Sequence, residues 1–499
     1  MKGVGVVAAG HPRTVEAATE VLGNGGNAYD AVVAAGFAAA VVEPCLTSLA
    51  GGGFLLARTT AGEEVLFDFF VDTPGSGRGP SDLEPHFTPV TVRFRGADQI
   101  FNVGSGSIAV PGALAGYLHV HRRLGRLDLD AIVAPARRLC QQGVALGPDQ
   151  LAVLHLLEPV FRLTEEGRRR YTRDGALIGP DDPVVNEPMA ALLTEVGAGR
   201  VNGFADPGLA RHLDVQMSSN GGLLTAEDLQ RYTVVEREPL VFGYRGTRVL
   251  SNPPPSFGAS LVAYALAQLE RSGPLPPAGS GQRLVALLDV LDEITHLHTS
   301  GGALPGDASL GTALADPAPR SSRGTTHVSV VDAEGNLASM TTSNGSCSGI
   351  FLGDTGVMAN NIMGEADLHP AGFHVEPPGQ RVGSMMAPSI LLPPRGEPVV
   401  LGSGGSERIR SAIVQVLVHL IDDRSDLPAA VQAPRVHWDG HLAQVEPGFD
   451  RLAVDHLRSA RATNEWSVRD LYFGGVHAVT PAGGCAGDPR RGGSTAVVP

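Results

Sequence analysis

Apolar residues recur at helical spacing from Thr14 to Leu22, and the run stops at Gly23-Asn24-Gly25-Gly26, a helix stop followed by a turn. The next stretch, Ala28 to Val42, is almost wholly apolar, which predicts a helix buried on all sides. After Gly51-Gly52-Gly53 come two strand-like runs, Phe54–Arg58 and Glu64–Phe70, joined by Thr-Thr-Ala-Gly-Glu; the pair reads as a hairpin. Helical periodicity returns at Pro111–Leu124, Asp128–Gln142, Pro148–Leu157, Glu187–Val196, Gly258–Leu269 and Gln282–His298. From Ser300 to Gly324 it vanishes: SGGALPGDASLGTALADPAPRSSRG reads as a flexible or exposed loop, and structureless stretches of that length are usually functional or processed. Directly afterwards His327–Val331 reads as a strand, Asp332–Asn336 as a turn and Leu337–Thr341 as a second strand.

Composition narrows the function. The chain has 499 residues with 43% hydrophobic, enough for a large buried core. Acidic residues outnumber basic ones, 52 to 38, for a net charge of −14, which argues against nucleic-acid binding because phosphates need a positive surface. Lys2 is the only lysine in the sequence, so a Schiff-base lysine, a pyridoxal-phosphate lysine and a phosphate-binding GK[ST] loop are excluded. Cys45, Cys140, Cys347 and Cys485 are far apart, which argues against a zinc site or a disulfide framework. No apolar stretch reaches the roughly 18 residues of a membrane span, and Met1–Glu20 lacks the layout of a secretory signal. The expectation is a cytoplasmic protein without cofactor, metal, nucleic acid or membrane partner.

Thr325 carries the strongest chemical signal. It stands where the loop meets the strand, in Gly324-Thr325-Thr326-His327-Val328-Ser329. A threonine hydroxyl is a weak nucleophile that needs a base, and a freed α-amine, titrating near 7.7–8.0, can be that base on the same residue. Cleavage between Gly324 and Thr325 would thus create the catalyst; the plain alternative is a β-branched pair opening a strand. A second signal is Gly402-Ser403-Gly404-Gly405-Ser406, between an apolar strand (Pro398–Leu401) and the amphipathic helix Glu407–Asp422. Strand, glycine turn and helix start together can aim backbone N–H groups at a developing oxyanion; the alternative is an ordinary tight turn.

Other patterns are weaker. Gly3-Val4-Gly5 resembles a dinucleotide fingerprint but has no strand ahead of it. His119/His121 and His296/His298 are spaced i, i+2, which splits each pair across a helix. Glu365 and Asp367 could suggest a glycosidase pair, but a solvated loop or a binder of a substrate amine is the better reading.

The strings GGNAYDAVVAA, EPCLTSLAGGGF, AVPGALAG, GTTHVSVVD followed by EGN, NNIMGE, GSMMAPSI and GSGGSERI resemble the γ-glutamyltransferase family of N-terminal-nucleophile hydrolases, from near residue 3 to the C-terminus. The resemblance implies an α/β protein with a four-layer αββα sandwich, made as one precursor. That precursor would cut itself between Gly324 and Thr325 into a large subunit (1–324) and a small catalytic subunit (325–499), intertwined as one structural domain. It implies Thr325 as nucleophile, Ser343 as the hydroxyl touching it, and Gly404 and Gly405, or Ser406, at the oxyanion turn. Glu365 would hold the substrate α-amino group and Ser384 its α-carboxylate.

Departures from the family pattern concentrate on the substrate head group. Phe70 replaces the arginine that clamps the α-carboxylate, making that pocket more apolar. Gly383 replaces one of two serines. Gly345 replaces an asparagine whose place Asn344 could take, and Ser406 replaces the second glycine of the turn. Arg93 and Arg95 are the nearest arginines downstream of Phe70 that could take over the clamp. The implied activity is cleavage of a γ-glutamyl, glutathione-like amide through an acyl-enzyme released to water or an amine acceptor. The alternatives are an acylase on cephalosporin-type or N-acyl amides, and an uncleaved relative that binds without turnover. Assembly into a higher homo-oligomer is left open.

Overall fold

The computed structural model describes residues 3–79, 84–93, 98–300, 324–369 and 372–499. Two sheets, each with antiparallel neighbours, face one another. The first has seven strands in the order Ser494–Val498, Gly5–Ala9, Thr325–Val331, Leu337–Ser343, Gly52–Arg58, Glu64–Phe69 and Val235–Arg237. The second has six, in the order Cys485–Ala486, Gly475–Val479, Val399–Gly404, Ser389–Leu392, Thr247–Ser251 and Leu240–Tyr244. Helices Pro12–Gly23, Ala28–Val42 and Ala113–Leu124 cover the first sheet, and Gly258–Arg271 and Arg408–Ile421 cover the second. The architecture is the αββα sandwich.

Alternation along the central strand explains how one sequence serves both faces. Val328 and Val330 point into the core shared with the N-terminal helices, while Val331 points between the sheets. His327 and Ser329 also point between the sheets. His327 Nδ1 meets Thr341 Oγ1 at 2.8 Å, its Nε2 meets Ser329 Oγ at 2.9 Å, and Ser329 donates to the His477 carbonyl of the opposite sheet at 3.0 Å. Burial holds the His327 pKa well below its usual value, so the ring is a neutral strut between the sheets. Gly402 faces it, and a Cβ there would lie 2.3 Å from the His327 Cε1.

The all-apolar helix is Ala28–Val42, opened by a capping box between Asn27 and Asp30. The expected hairpin forms, with Gly53 opposite Phe69 and Arg58 opposite Glu64. The segment read as a failed nucleotide fingerprint is instead the strand Gly5–Ala9, inside the first sheet, paired with both Thr325–Val331 and Ser494–Val498. It lacks polar alternation because both faces are covered. Residues on either side of position 324 therefore interleave in one sheet, and a cut there would leave two pieces locked together. The loop expected over 300–324 lies outside the described residues from 301 to 323.

Among the described residues no group of three His, Cys, Asp or Glu could hold a metal ion, and no helix is long and apolar enough to cross a membrane. His119 bonds Glu236 at 2.8 Å and His121 the Leu127 carbonyl at 2.7 Å. All four cysteines are free thiols.

Candidate active site

Thr325 begins its strand directly opposite Ser343, the last residue of the neighbouring strand. Both side chains therefore project at the same end of the sheet, from positions in phase with His327 and Thr341, into the space between the sheets. The Thr325 hydroxyl donates to Ser343 Oγ at 3.3 Å, and the Ser343 hydroxyl donates in turn to the Gly324 carbonyl oxygen. The Gly345 N–H donates to the same Ser343 Oγ at 3.1 Å. Ser343 thus uses one donor and two acceptor positions, the whole capacity of a hydroxyl, to join the Thr325 hydroxyl to the carbonyl preceding it. Gly324 admits nothing larger, since a Cβ would lie 1.5 Å from the Gly345 carbonyl oxygen.

The glycine turn abuts this group from the second sheet. A Cβ on Gly404 would fall 2.4 Å from the Thr325 carbonyl oxygen, and one on Gly405, at φ +124°, would fall 3.0 Å from Arg491 Nη2. Arg491 Nη1 donates to the Thr325 carbonyl at 3.2 Å. Ser406 holds the left-handed φ of +50°, and its hydroxyl donates to Asp367 Oδ2. Glu365 is brought to the catalytic loop as well: Ser346 Oγ donates to its Oε1 at 3.2 Å, and a Cβ on Gly345 would lie 2.8 Å from that oxygen. Glu365 and Asp367 are both buried, which corrects the expectation of a solvated loop; Asp367 is only 7% exposed.

The remaining candidates are placed otherwise. The Phe70 ring is 1% exposed and stacks on Phe54 at 5.5 Å, packing as a core residue instead of lining an open pocket. Asn344 Nδ2 donates to Cys347 Sγ at 3.5 Å, and the backbone after it turns through Gly345 at φ +64°. Ser384 Oγ accepts from its own Met386 N–H at 3.1 Å, and no hydrogen bond in the described residues joins it to Thr325. Gly383 is filled by the Phe257 ring, 2.9 Å from a Cβ built there. Arg95 and the Arg93 side chain lie outside the described residues. Beside Phe70 stands Arg381, which donates to the Phe70 carbonyl at 2.7 Å and to Asp68 Oδ1 at 2.9 Å, and pairs with Asp72 at 2.8 Å.

Sequence reasoning missed Arg491, Arg381 and Asn361, whose Oδ1 accepts the Ser346 N–H at 2.5 Å. Arg491 and Arg381 belong to no quoted motif; Asn361 lies within the NNIMGE string, which marks the segment but not this contact. It also passed over Glu43, the C-cap of Ala28–Val42, which accepts the hydroxyls of Thr326, next to Thr325, at 2.7 Å and of Thr14 at 2.9 Å. Burial pushes its carboxyl up to about 7. Thr325 itself is 5% exposed, and an open cleft of about 420 Å³ near Thr164, Arg169 and Asp354 contains none of the candidate residues.

The gamma-glutamyltranspeptidase family model matches residues 14–299 and 290–498. The chain belongs to the gamma-glutamyltranspeptidase family. Among curated relatives, it is 30% identical over 500 residues to the acylase ACY 1 proenzyme of Pseudomonas sp. (strain V22), covering 91% of this chain and 86% of that one. It is 28% identical over 491 residues to the glutathione hydrolase proenzyme of Escherichia coli (strain K12), covering 89% and 83%. Among solved structures, cephalosporin acylase from Bacillus halodurans superposes with a TM-score of 0.83 at 22% identity over 99% of this chain and 96% of that chain, a likeness of fold. This member of the family is thus an enzyme whose relatives include both acylases and glutathione hydrolases.

Proposed function

We propose that this chain is a self-cleaving amidohydrolase or acyltransferase whose nucleophile is Thr325. The observation that carries the proposal is the relay from the Thr325 hydroxyl through Ser343 to the Gly324 carbonyl oxygen. In the first reaction Thr325 Oγ1 attacks the Gly324 carbonyl carbon while the Ser343 hydroxyl polarises its oxygen. The Gly324–Thr325 C–N bond breaks as the nitrogen takes up a proton, leaving an ester on Oγ1. Water hydrolyses that ester to a Gly324 carboxylate and a free Thr325 amine. In the second reaction this amine accepts the Oγ1 proton as the hydroxyl attacks a substrate amide, and the turn at Gly404-Gly405 supplies backbone N–H donors to the oxyanion. The amine product leaves with the proton, and water or an acceptor amine resolves the acyl-threonine ester.

For the donor, an acyl amide without the α-amino-acid head group fits best. Phe70 is packed in the core, Gly345 has no side chain and the Asn344 amide N–H is engaged by Cys347, so these positions favour a donor without an α-carboxylate. An ionised carboxylate without partners resists entering a closed site. The buried Glu365 beside the catalytic loop favours a second reading, an amine-bearing γ-glutamyl donor.

Purified protein should separate on a denaturing gel into pieces 1–324 and 325–499, the smaller beginning Thr-Thr-His-Val, while Thr325→Ala stays whole and inactive. A cut, active Thr325→Ala protein would sink the proposal. Hydrolysis rates for γ-glutamyl, glutaryl and long-chain acyl anilides then rank the donors, and a clear lead for the γ-glutamyl anilide would reverse the preference stated here.

A further inference from the structure

The serine in the catalytic turn has a partner that a glycine could not have. Ser406 sits between the strand Val399–Gly404 and the helix Arg408–Ile421 at φ +50°, a region that a residue with a Cβ adopts reluctantly. Its hydroxyl is bound to Asp367 Oδ2. Asp367 is buried, and its carboxyl is raised by desolvation, partly offset by the Ser406 bond and by Arg408 nearby. The segment bearing it is itself held firmly. The Leu368 N–H donates to the Glu365 carbonyl at 3.1 Å, His369 Nε2 meets the Ile362 carbonyl at 3.1 Å, and Glu365 accepts the Ser346 hydroxyl at 3.2 Å. On the opposite side of the turn Arg491 fills the space behind Gly405.

We infer that Asp367 is a positioning residue that, through the Ser406 hydroxyl, holds the Gly404–Glu407 turn in the conformation that aims its backbone donors at the oxyanion. The inference rests on the reading of Thr325 as nucleophile and of this turn as its oxyanion site. A glycine at 406 would take the left-handed conformation unaided; a serine needs the clamp. The same segment carries Glu365, so one rigid turn sets the oxyanion donors and the carboxylate beside the catalytic loop in a common register.

The test is a double-mutant cycle read as kcat and KM on the anilide that the enzyme cleaves fastest. Asp367→Ala should lower kcat roughly 10–30-fold, short of the 10²–10³ for complete loss of an oxyanion donor, with KM changed by less than about threefold. On top of Ser406→Gly, the same Asp367→Ala substitution should cost less than about threefold. Asp367→Asn, which keeps an acceptor oxygen, should retain most of the rate. Should Asp367→Ala not fold, Ser406→Ala removes the same bond from the other end and should show the same loss in kcat. An equal loss from Asp367→Ala in both backgrounds, or a loss expressed in KM, would overturn the clamp. The two readings fail separately. Full hydrolysis by Thr325→Ala defeats the nucleophile and the clamp with it, whereas an inactive Thr325→Ala beside an unimpaired Asp367→Ala defeats only the clamp.

Discussion

The Thr325 end of the candidate site and the end around Phe70 and Ser384 are built on different principles. Thr325, Ser343 and Gly404 owe their positions to sheet register and to backbones packed too closely for a side chain. Phe70, Asn344, Gly345 and Ser384 lie beyond strand ends or in loops, outside that ladder, and are held by local neighbours: Phe70 by the Phe54 ring, Asn344 by Cys347 and Ser384 by the Met386 N–H. A family can therefore keep the first end while rewriting the second. In this chain the hydrogen bonds through Ser343 are in place, while Phe70 is packed in the core and position 345 carries no side chain.

The largest effect is expected where the two ends meet the core. Phe70→Arg restores the family residue in sequence but sets a guanidinium into the stack on Phe54. It should cost at least the roughly 3–5 kcal/mol of truncating a buried phenylalanine, seen as a lower urea midpoint, and should bring no gain in glutathione hydrolysis. A stable variant that turns over glutathione well would show that this end can be reverted one residue at a time. Next, Gly404→Val drives a side chain against the Thr325 carbonyl and should lower kcat by about 10²–10³ in folded, processed enzyme. Unchanged turnover would remove the turn from the mechanism. Ser343→Ala should slow self-cleavage by roughly 10², followed as the decay of the full-length band, with Ser343→Thr far less affected.

The smallest effect concerns Glu43 beside Thr326. Its carboxyl, raised to about 7 when folded, compares with about 4.3 in an unfolded chain. Between these values the folded state binds more protons than the unfolded one, so Glu43 lowers stability as pH rises through this window and adds no further slope above it. Glu43→Gln should therefore flatten the pH dependence of the urea midpoint between about pH 4.5 and 7. A slope identical to the parent's would place the titrating group elsewhere.

Much of this was legible in one dimension. The apolar run Ala28–Val42, the Phe54–Arg58 hairpin and the strands on either side of Asp332–Asn336 follow from hydrophobic period and turn residues, which are local properties of the chain. Thr325 and the Gly402–Ser406 turn stand out in the sequence because the proposed chemistry needs particular residue types next to particular breaks. The strand Gly5–Ala9 was not legible, because a strand covered on both faces loses the alternation that marks it. Nor was the direction of single side chains. Asn344 and Gly345 are neighbours, yet which of them faces Glu365 depends on a positive φ, and whether Phe70 lines a pocket or fills a core depends on what the second sheet places against it. Arg491 and Arg381 make their contacts from distant positions, and the Asp367–Ser406 bond joins two segments that the sequence marks separately, all through close packing. Periodicity is written residue by residue, but a site's partners are chosen by which surfaces the folded layers press together.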